Sequence, residues 1–282
     1  MRIAYLGPAG TFSEEAALMF AAMTDGENTL IPFTSFPALV SAVETDIADA
    51  AVLPIENSIE GSVSGTVDLL IHDTELQICA EMVVPVRHCL AGTPGASITD
   101  ITTIHSHPQA LGQCRRFIER CLPAAHQSAA LSTAGAVESV VKNDDKTVAG
   151  IGTARAAELY GAEILARNIE DNHLNATRFI ALTERDHEPT GRDKTSLAIT
   201  VRRNVPGSLH AVLEELAADT IQMTKLESRP AKNVLGEYYF LIDIEGHRLD
   251  PQIASALELM RAKSDIFKVF GSYPRLPEDA KE

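Results

Sequence analysis

The first two thirds of the chain repeat one pattern of apolar and polar positions. A short apolar run is followed by a loop rich in Gly, Ser, Thr or Pro, and then by a helix-like segment; the clearest runs are RIAYL, AAVLP, ITTI and TVAGIG. Short apolar runs bounded by turn residues are typical of buried strands. Because alternating strands and helices usually build parallel sheets with helical crossovers, the sequence predicts an α/β fold.

Several of the predicted helices carry a start signal. The segment Thr11-Phe12-Ser13-Glu14 matches a capping box, and Ser106-His107-Pro108-Gln109 matches the Gln form with Pro near the first helical position. Thr153 is expected to cap the helix that follows TVAGIG, and Gly161 to end it.

The pattern changes after the segment ERDHEPTGRDK, residues 184–194, which is polar, contains Pro and Gly, and lacks apolar periodicity. Such a segment is typical of a linker. From Lys194 onward the order of elements is β-α-β-β-α-β: apolar residues alternate over 197–201 and recur at helical spacing over 209–216. This order predicts a ferredoxin-like domain at the C-terminal end.

Composition and charge limit the classes of partner. The chain has 282 residues, 45% of them hydrophobic, and a formal net charge of −15. Nucleic acids and anionic membrane surfaces attract basic proteins, so we expect neither as a partner. No apolar run approaches the roughly 18 residues of a membrane helix, and the chain opens directly into a strand-like run. We therefore expect a soluble, cytoplasmic protein.

The four cysteines, Cys79, Cys89, Cys114 and Cys121, lack C-x-x-C spacing. We interpret them as reduced packing residues. His105 and His107 form an H-x-H pair without an obvious carboxylate or cysteine partner, so we expect no metal site.

Polar residues gather in loops that follow predicted strands. The loop LPIENSIEGSV carries Glu56, Asn57 and Ser58, and the loop HSHPQALGQC carries Gln113. An exposed turn explains either loop equally well, whereas helix N-termini at the same strand ends suit a carboxylate or phosphate. The chain has no G-x-G-x-x-G, P-loop or G-x-S-x-G motif. From these residues the sequence predicts an anion-binding cleft but not a reaction.

Five motifs together resemble one family. They are YLGPAGTFSEEAA, LPIENSIEGSV, SHPQALGQC, NATRF and LESRP, they occur in this order, and the match extends from Tyr5 to about Tyr273. In this set the chain resembles the prephenate dehydratases, which convert prephenate to phenylpyruvate on the route to phenylalanine.

The resemblance implies an architecture. Residues 1–185 would form a catalytic domain of two α/β lobes similar to the type II periplasmic-binding fold. Lobe one would comprise about 1–78 and 175–185, lobe two about 79–174, with the active site between them. A linker over 186–193 would lead to an ACT regulatory domain over 194–274, and residues 275–282 would form a tail.

The resemblance also implies a chemistry, the joint loss of CO₂ and of the ring hydroxyl, catalysed by a carbon–oxygen lyase without metal, redox cofactor or covalent intermediate. The residue tied to catalysis in the family's T-R-F motif corresponds to Thr177, which we interpret as a hydrogen-bond donor to the leaving oxygen. The matching substrate-binding positions are Thr11, Asn57, Ser58, Ser106, Gln113 and Arg178. Arg178 has two possible roles, with a substrate carboxylate or in a salt bridge. His173 and Glu56 are candidate proton sources.

The family's effector motifs map onto the C-terminal domain. E-S-R-P stands intact at Glu227, Ser228 and Arg229, whereas G-A-L-V departs to Gly207-Ser208-Leu209-His210. The resemblance implies feedback inhibition by an aromatic amino acid, phenylalanine first, with tyrosine or another amino acid possible. Effector sites in the family lie between subunits, so a homotetramer or homodimer is expected.

Two alternatives stay open at this point. An arogenate dehydratase would use the amino-acid counterpart of prephenate, and a non-catalytic amino-acid sensor would share the lobed fold. We also expect a single activity, because the chain has no room before Arg2 for a fused chorismate mutase domain.

Overall fold

The computed structural model describes residues 1–202, 205–231 and 237–276. They form a mixed α/β structure, as predicted. The helices are α1 Phe12–Ala22, α2 Phe36–Glu44, α3 Ser64–His72, α4 Pro108–Gln113, α5 Arg115–Cys121, α6 Thr133–Asn143, α7 Ala154–Tyr160, α8 Ser208–Ala218 and α9 Pro251–Lys263. The strands are β1 Arg2–Leu6, β2 Thr29–Phe33, β3 Ala50–Asn57, β4 Gly61–Ser62, β5 Gln77–Pro85, β6 Cys89–Gly92, β7 Thr103–Ser106, β8 His126–Ala129, β9 Val148–Gly152, β10 Glu163–Arg167, β11 Ala176–Thr183, β12 Asp193–Val201, β13 Met223–Pro230, β14 Tyr238–Glu245 and β15 Ser264–Pro274.

The chain divides into two compact units. The first contains Met1–Val63 and Met82–Phe179, and the second contains Ser64–Glu81 and Ile180–Glu282. The lobe, linker and regulatory-domain boundaries expected from the sequence stay a prediction. The expected tail, residues 275–282, lies outside the described residues from 277 onward.

Two sheets carry the strands that position the cavity described below. One has the order β2-β1-β3-β11-β5 with β4 beside β3, and the other has the order β10-β6-β9-β7-β8. In the first sheet β1 pairs in parallel with β2 and β3. In the second, β7 is parallel to β8 and β9, but β6 is antiparallel to β9 and β10. The four apolar runs named above belong to β1, β3, β7 and β9, and each of these strands has a parallel neighbour, as predicted. The antiparallel strands β6 and β10 were not predicted.

Local capping signals explain where two helices begin. Thr11 caps α1, its Oγ1 accepting from the Glu14 N–H at 3.3 Å, while the Glu14 carboxylate accepts from the Gly10 N–H at 2.8 Å. Thr153 caps α7 by accepting from the Ala156 N–H at 2.9 Å, and Gly161 ends it with φ 71°. Both caps are confirmed.

The expected cap Ser106 is wrong. Strand β7 continues through Ser106, and its hydroxyl donates to the Ile151 carbonyl at 2.7 Å. His107 is the cap of α4 instead, because its Nδ1 accepts from the Gln109 N–H at 3.3 Å.

All four cysteines are free thiols. Cys89 and Cys114 are buried, and burial raises the pKa of both. Cys121 is exposed, so the interpretation of that residue as a packing residue is wrong.

The second unit contains the β-α-β-β-α-β order predicted for the C-terminal segment. Its elements are β12, α8, β13, β14, α9 and β15, and the antiparallel sheet has the order β13-β14-β12-β15. Helices α8 and α9 contribute Val212, Leu216 and Met260 to a core with Leu197 and Ile242 of the sheet. The residues that alternate in the sequence thus form the sheet side of this core, and those at helical spacing form its helix side.

Candidate active site

The first unit contains a cavity of about 360 Å³. Its wall includes the start of α1, Asn57 at the end of β3, Thr177 on β11, Gln113 at the end of α4 and the start of α6. The residues that line the cavity include no Asp, Glu, Lys or Arg, and their titratable side chains are His88 and His107. This site therefore offers neutral hydrogen-bond donors to a ligand.

The hydroxyl oxygen of Thr177 accepts a hydrogen bond from the amide of Asn57. The Asn57 Oδ1 accepts from the Ile59 and Glu60 N–H groups at 3.0 and 3.1 Å, which fixes the orientation of the amide. Its Nδ2 therefore donates, to Thr177 Oγ1 at 2.9 Å and to Asn175 Oδ1 at 2.9 Å. Because the oxygen of Thr177 accepts from Asn57, the hydroxyl proton is available to a group in the cavity.

Ser58 holds the backbone before Thr177. The Ser58 N–H donates to the Ala176 carbonyl at 2.9 Å, and the Ala176 N–H donates to Ser58 Oγ at 3.0 Å. Ser58 is exposed and is not part of the cavity lining. Its contacts fix the start of β11.

Arg178 forms an ion pair with Glu56. Its Nη2 lies 2.9 Å from Glu56 Oε2, and its Nε lies 3.1 Å from the same oxygen. Neither residue is in the cavity lining. Of the two roles considered for Arg178 the structure contains the salt bridge, and a role with substrate stays a prediction.

Two helix N-termini face the cavity. Phe12 and Ser13 in the first turn of α1 line it, as do the α6 cap Ser132 and the first helical residue Thr133. The N–H groups of a first helical turn lack intrahelical acceptors and carry the positive end of the helix dipole. The two helices therefore give this uncharged cavity an attraction for anions.

His88 is a cavity residue that the sequence reasoning missed. It is only 2% exposed, its ring meets that of Phe12 edge to face at 5.5 Å, and its Nε2 lies 2.9 Å from Gln113 Oε1. Burial lowers the pKa of the ring and outweighs the opposing effects of Gln113 and Glu170. Nothing in the local stretch VPVRHCL indicates these contacts, since Gln113 follows 25 residues later.

Some of the other candidate residues predicted from the sequence line the cavity, and some do not. Thr11, Asn57, Gln113 and Thr177 line it, whereas Ser106 does not. The proposed proton source His173 has a mostly exposed side chain, and its Nδ1 lies 2.9 Å from Glu170 Oε1. Neither His173 nor Glu56 is in the lining, and the roles of all these residues stay predictions.

The expected effector residues lie in the second unit. Gly207 precedes α8 with φ 89°, and Ser208 and Leu209 are in its first turn; Glu227, Ser228 and Arg229 lie on β13, at one edge of the sheet. The side chain of Arg229 lies 3.4 Å from Asp68 of α3, and that of Glu227 lies 3.3 Å from Lys225.

Comparison with known proteins decides the family. The family model for prephenate dehydratase matches residues 3–187, which include every residue that lines the cavity. The chain belongs to the prephenate dehydratase family. The resemblance expected from the five motifs is therefore confirmed.

Individual relatives of this prephenate dehydratase family member cover nearly the whole chain. A bifunctional chorismate mutase/prephenate dehydratase of Neisseria gonorrhoeae is 44% identical over 97% of this chain and 74% of its own length. The crystal structure of prephenate dehydratase from Arthrobacter aurescens in complex with L-Phe is 35% identical, has a TM-score of 0.87, and is matched over 98% of this chain and 90% of that one.

A second solved structure carries a different description. It is called a novel type of quorum quenching acylase, is 34% identical, and has a TM-score of 0.86 over 98% of this chain and 99% of that one. The same architecture is thus described with two activities.

Residues 1–202, 205–231 and 237–276 contain no helix long and apolar enough to cross a membrane. The same ranges contain no group of three or more His, Cys, Asp or Glu residues placed to hold a metal ion.

Proposed function

We propose that this protein is a prephenate dehydratase, a carbon–oxygen lyase that converts prephenate to phenylpyruvate in L-phenylalanine biosynthesis. The observation that carries the proposal is the hydroxyl of Thr177, which faces an anion-attracting cavity while Asn57 Nδ2 donates to its oxygen at 2.9 Å. Membership of the prephenate dehydratase family identifies prephenate as the substrate.

The reaction requires little of the protein beyond assistance to a leaving group. The electrons of the bond to the departing carboxylate complete the aromatic ring as the C–O bond to the ring hydroxyl breaks. The prephenate dianion thus gives the phenylpyruvate anion, CO₂ and hydroxide, which a proton converts to water. Charge grows on the leaving oxygen, where a fixed donor such as the Thr177 hydroxyl is most effective.

The cavity suits the two carboxylates of the substrate without a cationic side chain. The first turns of α1 and α6 offer backbone N–H groups and helix dipoles to them. Neutral donors leave the dianion less tightly held in the ground state, so that stabilisation can be concentrated on the leaving oxygen. The ring N–H of His107, the lining histidine other than His88, would supply the proton for hydroxide.

The deciding experiment follows phenylpyruvate by ultraviolet absorbance after prephenate is added to the purified protein. Product formation is expected, with arogenate giving little phenylalanine under the same conditions. Turnover of arogenate alone would make the protein an arogenate dehydratase. An acylated quorum-sensing signal provides the control for the acylase activity of the related structure, and release of its acyl group without turnover of prephenate would contradict the proposal.

We propose further that the C-terminal part is an ACT regulatory domain over 194–274, joined by a linker over 186–193 to catalytic lobes of periplasmic-binding type within 1–185. The β-α-β-β-α-β order supports this division, and the L-Phe complex of the Arthrobacter relative supports an amino-acid effector. Phenylalanine would bind near the start of α8 and the end of β13. The protein would be a cytoplasmic homodimer or homotetramer.

Regulation is tested by titrating L-phenylalanine against the initial rate, with size-exclusion chromatography in parallel. Inhibition is expected, and Arg229→Ala should raise the half-inhibitory concentration while leaving the uninhibited rate in place. Inhibition that is unchanged in Arg229→Ala would remove that residue from the effector site.

A further inference from the structure

We propose that His88 is a positioning residue for the dehydration: its ring donates from Nε2–H to Gln113 Oε1 and thereby directs the Gln113 amide N–H groups into the cavity. This role rests on the proposed function, because it assigns a task at the same site. The motifs that define the family resemblance do not include His88.

The position of the His88 ring is fixed by Phe12 and by the backbone of His88 itself. The ring stands edge to face against Phe12, with centroids 5.5 Å apart, and only 2% of the residue is exposed. Its backbone N–H donates to the Glu170 carboxylate at 2.9 Å, which ties the start of β6 to the segment before β11. A side chain held in this way can orient a neighbour with little loss of entropy on ligand binding.

The protonation state of the ring follows from its surroundings. Burial disfavours the imidazolium, so the ring is neutral and carries one N–H. Within the described residues Nδ1 is buried without a hydrogen-bond partner, whereas Nε2 has Gln113 at 2.9 Å. A buried N–H without an acceptor is rarer than an acceptor without a donor. The proton therefore belongs on Nε2, and Gln113 presents its oxygen to it.

This contact decides what Gln113 can offer to a ligand. Gln113 is the last residue of α4, and its backbone carbonyl accepts from the Asp171 N–H at 2.7 Å, so both its main chain and its amide oxygen are held. The remaining polar group is the NH₂, which has two donors. In a cavity that Gln113 lines, these donors add to the Thr177 hydroxyl and the two helix N-termini.

A double-mutant cycle on kcat/KM separates this role from simple packing. His88→Phe keeps the ring and its contact with Phe12 but removes the N–H, and we expect a loss of about tenfold, smaller than the ~10²-fold expected for removing the donor itself in Gln113→Leu. The double variant should be no less active than Gln113→Leu alone, because His88 acts through Gln113. His88→Gln, which retains an N–H donor, should recover most of the loss.

The matched control is His105→Phe, the same substitution at a histidine of β7 outside the cavity lining, and it should leave kcat/KM unchanged. Thermal unfolding of every variant separates lost activity from lost fold. If the losses of His88→Phe and Gln113→Leu multiply in the double variant, or if His88→Gln is as impaired as His88→Phe, the positioning role is refuted.

A second measurement does not depend on turnover. The ¹⁵N shifts of the His88 ring should report a neutral ring protonated at Nε2 near pH 7, and the side-chain NH₂ signals of Gln113 should move in His88→Phe. A proton on Nδ1, or an imidazolium, would overturn the inference. If the wild type fails to turn over prephenate while these signals behave as expected, the proposed function fails and the orientation of Gln113 by His88 stands.

Discussion

The wall of the cavity and the core of the second unit both contain buried polar side chains, but they use them differently. In the second unit Ser196 Oγ donates to Asp243 Oδ1 at 2.6 Å and lies 2.7 Å from the Tyr273 hydroxyl. In the cavity wall, Thr177 accepts from Asn57 and keeps a proton for a ligand, and His88 Nδ1 has no partner in the described part of the chain. Polar groups that satisfy one another stabilise a fold, whereas polar groups with unused capacity around a cavity indicate a site.

The largest expected effect comes from removing the hydroxyl of Thr177. Thr177→Val keeps the shape of the side chain and should lower kcat by about 10²–10³-fold, because the donor to the leaving oxygen is lost. Thr183→Val, on the same strand but outside the cavity lining, is the control and should leave kcat unchanged. Steady-state rates with prephenate provide the measurement, and a fully active Thr177→Val would remove the hydroxyl from the mechanism.

A smaller effect is expected when the group behind Thr177 changes from donor to acceptor. In Asn57→Asp a carboxylate faces Thr177 Oγ1 and draws the hydroxyl proton away from the cavity, so kcat should fall by about 10–10²-fold. Asn143→Asp, at the exposed end of α6, controls for the added charge. Circular dichroism checks that the fold is retained, and a kcat like that of wild type would show that the orientation of the hydroxyl does not matter.

In the second unit, by contrast, removing a buried hydroxyl should lower stability and leave kcat unchanged. Tyr273→Phe removes a buried hydroxyl whose neighbour Ser196 keeps Asp243 as a partner, so the free energy of unfolding should fall by only about 1 kcal/mol. The corresponding shift in Tm is about 2–4 °C for a chain of this size. The uninhibited kcat should stay at the wild-type value. A large loss of kcat in a variant with unchanged Tm would mean that this cluster is not merely structural.

The smallest effect is a dependence of stability on pH that arises from His88. The pKa of His88 is lowered in the folded state, whereas in the unfolded chain it is about 6.5. Below pH 6.5 the unfolded chain therefore binds a proton at His88 more readily than the folded chain does. Stability should therefore fall as the pH drops below 6.5, by at most about 1.4 kcal/mol per pH unit. Urea unfolding at a series of pH values should show a shallower dependence in His88→Phe, and identical slopes would contradict it.

Sequence reasoning succeeded where the controlling interactions are local. The caps Thr11 and Thr153 depend on N–H groups three residues away, so their residue types suffice to predict them. Ser106 failed as a cap because its hydroxyl is used by Ile151, 45 residues later in the chain. His88 was missed for the same reason, since its role depends on the distant Gln113. The approach of Thr177 to the cavity needed the family motif, because spacing alone does not reveal it.

The paired hydrogen bonds between Ser58 and Ala176 have a consequence for the kinds of change this chain can tolerate. Side chains alternate between the two faces of a strand, so Thr177 and Arg178 point to opposite faces of β11. A slip of one residue would place the guanidinium where the hydroxyl belongs. By bonding to both the N–H and the carbonyl of Ala176, Ser58 fixes the register of β11. We therefore expect the length of the segment just before Thr177 to be under tighter constraint than its composition, with single-residue insertions there more damaging than most substitutions.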